Sequence, residues 1–243
     1  MRCRAKQKDE NLQPMDEQVI TFGGRTLTIH PARKARALLE AAVITKSGGY
    51  SVATNAEKII RCHEDQDFYD IVRNANARVC DGVAVNLFSN TGMAKVNWPN
   101  ECLRICRENG YSLSTFGGTE SVASEVFKRL QAGGIRIQKS SHGYIDDQEL
   151  IQLIQQGSSD VIFLGLGSPR QEIVASRLKA LGCKSFVVCC GGALDVISGK
   201  KRPAPKIISE GGLEWLYRLF LEPRRWRRYL ALSKVMAIRI GIL

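Results

Sequence analysis

The sequence predicts an α/β fold: a Rossmann-like parallel sheet covered by helices, with a basic helical appendage at the C-terminus. Three observations carry this reading. Short β-branched or apolar runs alternate with helical patterns through the middle of the chain. Glycines gather where those runs end. Positive charge is concentrated beyond residue 199, where eleven Lys/Arg stand against three acids, while the body is close to neutral. Strand–helix alternation with glycine at strand ends fits parallel strands joined by helical crossovers.

The elements follow in order. "YSVAT" (50–54) reads as a strand and "NAEKIIRCHE" as the helix after it. "ARVCDGVAV" (77–85) holds a short strand and a turn, and "NECLRICREN" (100–109) a helix. "YSLSTFGG" (111–118) reads as a buried strand, and "TESVASEVFKRLQ" as a helix with Thr119 at its cap. "IRIQKSSHGYI" (135–145) is a strand and loop, followed by helix "DQELIQLIQQ". "DVIFLGLG" (160–167) is the clearest strand, and "SPRQEIVASRLKALG" the helix it feeds. "SFVVCCGG" (185–192) is the last strand.

With 243 residues and 44% hydrophobic content, the chain suits one large domain, or one domain plus an appendage. We divide it into a disordered N-terminus (1–18), an α/β core (19–199) and a basic C-terminal helical appendage (200–243). The N-terminus is polar and lacks the apolar centre of a signal peptide, and no apolar run reaches the roughly 20 residues that cross a bilayer. The eight cysteines form no C-x-x-C pair and no zinc spacing, so they read as buried thiols in a reducing compartment. "DQD" (65–67) matches the letters of a metal-binding D-x-D but sits in a polar stretch between helical patterns, and reads as solvated surface.

In such sheets, ligands bind at the carboxyl ends of the strands. Three of those ends are glycine-rich turns running toward helix starts, which suits phosphate; glycine turns also serve ordinary helix–strand packing. The patterns G-x-G-x-x-G and G-x-x-x-x-G-K-[ST] are both absent, which argues against a standard NAD site or P-loop.

Seven segments, taken together, resemble one family. They are "VATNAEK" (52–58), "CDGVAV" (80–85), "STFGGTESVA" (114–123), "HGYI" (142–145), "GLGSPRQE" (165–172), "GGALDVISGKKRPAPK" (191–206) and "GLEWLYRLFLEPRR" (212–225). The chain is similar through them, over roughly residues 20–230, to the WecG/TagA/CpsF glycosyltransferases, family 26. "NAEK" resembles the N-acetylmannosaminuronic acid branch more than the teichoic acid branch. The resemblance implies a bacterial enzyme on the cytoplasmic face of the membrane. It would move a sugar from a UDP-sugar to a polyprenyl-diphosphate-linked sugar, with inversion, and it points to no required metal or other cofactor.

The resemblance also assigns roles. Asp81 resembles the family's base; as an acid at a strand end beside a glycine it suits that role, and an Asp capping a turn would look the same. Asn55 resembles an active-site amide and equally fits a helix N-cap. Thr54 stands beside it as a substrate-binding candidate; the position at which some relatives carry threonine is Ala53 here. Gln171 resembles a substrate-binding glutamine, with Gly118, Gly165, Gly167, Ser168 and Gly192 offering backbone N–H groups nearby. Tyr144 and Asp195 match positions that hold the uridine. Lys95 in "KVNWPN" replaces the arginine of the relatives' "R-V-x-G-x-D", keeping charge but losing the two-pronged contact. Arg218, Arg225 and Arg228 match positions that reach the active site, where they would neutralise the UDP leaving group or the acceptor's diphosphate. Trp215, Leu216, Leu219, Trp226, Tyr229 and Leu230 among the cations give the composition of an interfacial membrane segment, and an amphipathic helix packed on the core would read alike.

The expected partners are therefore a UDP-sugar, a lipid-linked acceptor and an anionic membrane surface; self-association is compatible with the sequence. Two rival classes remain. The sequence pI of 9.4 admits a nucleic-acid binder, but the charge is confined to the tail and no recognised nucleic-acid motif is present. Another nucleotide-binding α/β enzyme is the second.

Overall fold

The computed structural model describes residues 17–89, 93–201 and 234–239. The chain enters through a hairpin of β1 (Gln18–Phe22) and β2 (Arg25–Ile29). Its two-residue turn is Gly23-Gly24, both at positive φ (51° and 75°), the conformation that matches strand twist and favours glycine. Ile20, Phe22, Leu27 and Ile29 alternate inward and are buried.

Beyond α1 (Ala32–Thr45) the chain builds a six-stranded, wholly parallel sheet. Its strands are β3 (Gly49–Thr54), β4 (Ala77–Cys80), β5 (Ser112–Gly117), β6 (Arg136–Ser141), β7 (Val161–Gly165) and β8 (Phe186–Cys189). Their spatial order is β4-β3-β8-β7-β5-β6. The crossovers are α2 (Ala56–Glu64) with α3 (Gln66–Arg73), α4 (Val83–Asn86) with α5 (Trp98–Asn109), then α6 (Glu120–Ala132), α7 (Asp147–Gln155) and α8 (Arg170–Ala180); α9 (Ala193–Ile197) follows β8.

The sheet's period of two sorts its side chains into two cores. Ile162, Leu164, Val187 and Cys189 face α2, α3, α7, α8 and the hairpin. Val161, Phe163, Phe186 and Val188 face α1, α5, α6 and α9. Each such fully buried side chain contributes about 1.5–3 kcal/mol. Adjacent β7 and β5 send their helices to opposite faces, α8 to one and α6 to the other. That divergence opens a crevice at their carboxyl ends.

Side-chain caps fix where the helices start. Asn55, Asp65, Thr119 and Asp146 accept from the first-turn N–H groups of α2, α3, α6 and α7. The "DQD" acid Asp65 is thus a helix cap, and among the described residues no group of three or more His, Cys, Asp or Glu could hold a metal ion. Buried Arg78 ties hairpin to sheet. Its guanidinium donates to the carbonyls of Thr28 (2.6 Å), Arg73 (2.6 Å) and Ala75 (2.6 Å), while its backbone N–H donates to His30 Nδ1 (3.0 Å). The seven described cysteines are free. Burial pushes Cys62 and Cys106 up to about 12 and Cys80 to about 11, which keeps them as unreactive thiols.

The sequence reading locates all six sheet strands but passes over the hairpin, α1, α3 and α9, and it gives a turn where α4 stands. Trp98, in "KVNWPN", is a packing residue. It opens α5, is 1% exposed, and donates its indole N–H to Ser51 Oγ at 2.8 Å.

Residues 1–16 and 202–233 lie outside the described residues. The expected disordered N-terminus falls there almost entirely, as do Arg218, Arg225 and Arg228 and the aromatic anchors. The last described turn, 234–239, is helical and docked. Val235 and Ile238 are buried in the first core, and Lys234 Nζ is 3.2 Å from Glu64 Oε1 at the end of α2. Among the described residues no helix is long and apolar enough to cross a membrane.

Candidate active site

The carboxyl edge of the sheet gathers most of the candidate residues. A cleft of about 310 Å³ opens over β5, β6, β7 and β8. Gly118, Tyr144, Gly165, Gly167, Gly192 and Asp195 line it. Glycine is required here for two distinct reasons. A Cβ on Gly165 would come within 2.8 Å of Leu194 and 3.0 Å of the Gly191 carbonyl, so the loops close only around hydrogen. Gly167 lies at φ 80°, and a Cβ there would meet nothing within 4 Å: it faces the open cleft.

Tyr144 is 78% exposed, on a loop gripped from below. Arg170 donates Nη1 to the Gly143 carbonyl at 2.6 Å, Nη2 to the Ile145 carbonyl, and Nε to Asp147 Oδ1 at 2.7 Å. The two carbonyls flank Tyr144, so an exposed aromatic ring is presented on a fixed backbone. Asp195 Oδ2 pairs with Lys201 Nζ at 3.3 Å.

The acid and the amide meet over the neighbouring strands. Asn55 ends β3 and caps α2, its Oδ1 accepting from the Lys58 N–H at 3.2 Å. Its Nδ2 turns to Asp81 Oδ2 at 3.5 Å. Cap and active-site amide, open alternatives in the sequence, are compatible in one side chain. Asp81 follows β4 and is partly exposed; its backbone N–H donates to the Thr54 carbonyl at 2.8 Å, extending the parallel ladder. Among the described residues one long contact holds this carboxylate, which leaves lone pairs for a hydroxyl proton.

Three candidates sit elsewhere than expected. Thr54 is fully buried, its Oγ1 without a partner among the described residues, beneath the site rather than open to it. Gln171 is 2% exposed and spent internally: Nε2 donates to Glu172 Oε1 at 2.8 Å, and Oε1 accepts from the Gly191 N–H at 3.0 Å. As the first turn of α8 winds inward, its side chain braces the wall of the cleft instead of lining it. Lys95 lines a separate hollow with Asn97, Asn100 and Arg104 on the α5 side. Its charge still reaches the end of β4: burial raises the Cys80 thiol, Asp81 adds to the rise, and Lys95 opposes it. Ser168 stays at the mouth of the α8 turn, with Oγ buried and, among the described residues, unpartnered.

A buried ion pair, absent from the sequence reading, underlies the whole arrangement. Glu172, 0% exposed, pairs with Lys58 Nζ at 3.4 Å. It links α8 to α2, and so ties Gln171 and the Gly191 wall to Asn55 and Asp81. Only the adjacent "NAEK" and "RQE" motifs signal it.

Comparison with known proteins decides the family. The model of the glycosyl transferase WecG/TagA/CpsF family matches residues 21–241, nearly the whole chain. The chain belongs to that family. This glycosyltransferase is 28% identical over 199 residues, 78% of each chain, to the N-acetylglucosaminyldiphosphoundecaprenol N-acetyl-beta-D-mannosaminyltransferase of Bacillus subtilis (strain 168). It is 29% identical over 205 residues, 77% of each chain, to the protein of the same name from Bacillus spizizenii (strain ATCC 23059 / NRRL B-14472 / W23).

Proposed function

We propose that this glycosyltransferase moves an N-acetylmannosamine-type sugar from a UDP-sugar to a polyprenyl-diphosphate-linked sugar in bacterial surface polysaccharide synthesis, with inversion. The observation that carries the reading is the adjacency of two features in a chain of this family: an open, glycine-walled cleft and, over the next strands, the Asn55–Asp81 pair. The names of the two relatives supply the sugar and the acceptor class.

In this reading Tyr144 stacks on uracil and Asp195 takes a ribose hydroxyl. Asp81 removes the proton of the acceptor hydroxyl as its oxygen attacks the anomeric carbon from the face opposite UDP. Asn55 orients Asp81 and a sugar hydroxyl, and Lys95 serves acceptor or donor selection. The basic, aromatic tail sequence supports contact with an anionic membrane face, each cation there being worth roughly 1 kcal/mol. Arg218, Arg225 and Arg228 then stand for the acceptor's diphosphate.

A second reading, transfer of the uronic acid form, is favoured by "NAEK". The test is transfer from a panel of UDP-sugars to synthetic polyprenyl-diphosphate-GlcNAc, read by mass spectrometry. Product from UDP-N-acetylmannosamine alone supports the first reading, and product from its uronic acid alone supports the second. Failure of every UDP-sugar on this acceptor sinks both.

A further inference from the structure

The cleft is walled for an anion. The N-termini of α6 (13 residues) and α8 (11 residues) open into it at Gly118–Thr119 and at Gly167–Arg170. α8 has no side-chain cap; its Gln171 N–H turns back to the Gly167 carbonyl at 3.0 Å, and the helix start still carries its partial positive charge toward the cleft. Beside them, a Cβ on Gly167, Gly191 or Gly192 would meet nothing within 4 Å, so two backbone segments, at Gly167 and at Gly191–Gly192, face free space. Phosphate oxygens approach such a surface closely.

The cations around this cleft are not equivalent. Arg170 is committed to Asp147 and two carbonyls. Lys201 is paired with Asp195. Lys200 also lines the cleft and is exposed, and among the described residues its ammonium has no ion-pair partner. Its backbone is nevertheless fixed: the Lys200 N–H donates to Ser198 Oγ at 3.3 Å, and the next N–H, Lys201, to the Asp195 carbonyl at 2.9 Å. With the other two cations neutralised locally, Lys200 leaves the cleft with an uncompensated positive charge on a tethered loop.

We infer that Lys200 is the residue that binds the diphosphate of the nucleotide donor and stabilises UDP as it leaves. The assignment rests on the UDP-sugar reading above. The bond between the anomeric carbon and the β-phosphate oxygen breaks, its electron pair stays on that oxygen, and UDP gains one negative charge. The acceptor oxygen forms the new bond and its proton goes to Asp81. The Lys200 ammonium holds the growing charge. This divides the electrostatic work: a core lysine serves the donor, and the tail arginines are released for the lipid diphosphate.

Calorimetric titration of the full chain with UDP and with uridine tests it, in the wild type and in Lys200→Gln and Lys200→Arg. A charge-assisted hydrogen bond to phosphate is worth about tenfold in affinity. Lys200→Gln should therefore bind UDP about tenfold more weakly, with uridine affinity unchanged, and Lys200→Arg should keep most of the UDP affinity. The side chain is exposed, so both variants should melt as the wild type does. UDP affinity equal in Lys200→Gln and wild type overturns the assignment, and so does an equal loss for UDP and uridine. A wild type that binds uridine and UDP equally also overturns it. A wild type that binds neither overturns the donor reading on which it stands.

Discussion

Over β5, β7 and β8 the carboxyl edge is made of backbone; over β3 and β4 the same edge is made of side chains. The cleft presents glycines, two helix starts and one exposed ring, with Asp195 and Lys200 at its side. The acid side is a chain of contacts from partly exposed Asp81 and Asn55 through Lys58 and Glu172 to Gln171, the last three buried. The first arrangement accommodates a ligand whose charge meets N–H groups, with little reorganisation. The second fixes one carboxylate and tolerates almost no substitution. The two meet at Gln171, whose amide is bonded to Glu172 on one side and to the Gly191 loop on the other.

The sharpest way to separate the halves is Asp81→Asn. An amide cannot accept the proton, so transfer should fall by about 10²–10⁴ while UDP binds as before. Wild-type turnover in the purified variant would remove Asp81 from the mechanism. Next comes the buried pair. Glu172→Gln leaves Lys58 charged and unpartnered, which should cost about 3–5 kcal/mol in urea unfolding, whereas Lys58→Met/Glu172→Gln should recover most of that loss. Equal destabilisation in single and double variants would mean that the ion pair is not what joins α2 to α8. Tyr144→Ala touches only the backbone-built half. It should weaken uridine binding by about 1–3 kcal/mol, the worth of a stacked base, with stability within about 0.5 kcal/mol of wild type, since the ring is exposed. Unchanged uridine affinity would move the base elsewhere in the cleft.

The smallest effect lies outside both halves. Burial, then the Arg78 charge, holds His30 below its ordinary value, against the opposing pull of Glu17; Lys34 adds a minor push in the same direction as Arg78. The unfolded chain therefore takes up a proton first, near pH 6.5. The stabilisation is fully present above that pH and is lost as the pH falls through the lowered folded value. Melting temperature should drop on acidification from pH 7 to 5, with a shallower slope in His30→Gln. Identical slopes would show that the imidazole stays uncharged in both states or charged in both.

The two halves also differ in how far the sequence exposes them. Apolar runs ending in glycine locate all six sheet strands, because a buried parallel strand and its turn leave a local signature. The hairpin carries one as well, alternation around Gly23-Gly24, but strand–helix alternation as a frame has no place for it. Asp81 and Asn55 stand at strand ends and are legible as polar residues where substrate can reach. Lys58 and Glu172 are not, since each reads as an ordinary charged helix residue and only the packing of α2 on α8 brings them together. Gln171 reads as open to substrate because its position after a glycine turn is local knowledge, while the inward face of α8 is tertiary. Lys200 counts in the sequence with the charge of the tail; the loop closed by Lys201 and Asp195 is what places it on the core.

The measurement that bears most directly on the proposed UDP site is the melting temperature of the full chain with UDP, NAD or ATP. At a hundred times its Kd, a ligand that binds only the native state adds about 2.7 kcal/mol, which for a chain of this size raises Tm by roughly 5–10 °C. UDP should produce that rise and NAD and ATP should not. No rise at saturating UDP, or an equal rise with ATP or NAD, would contradict the account.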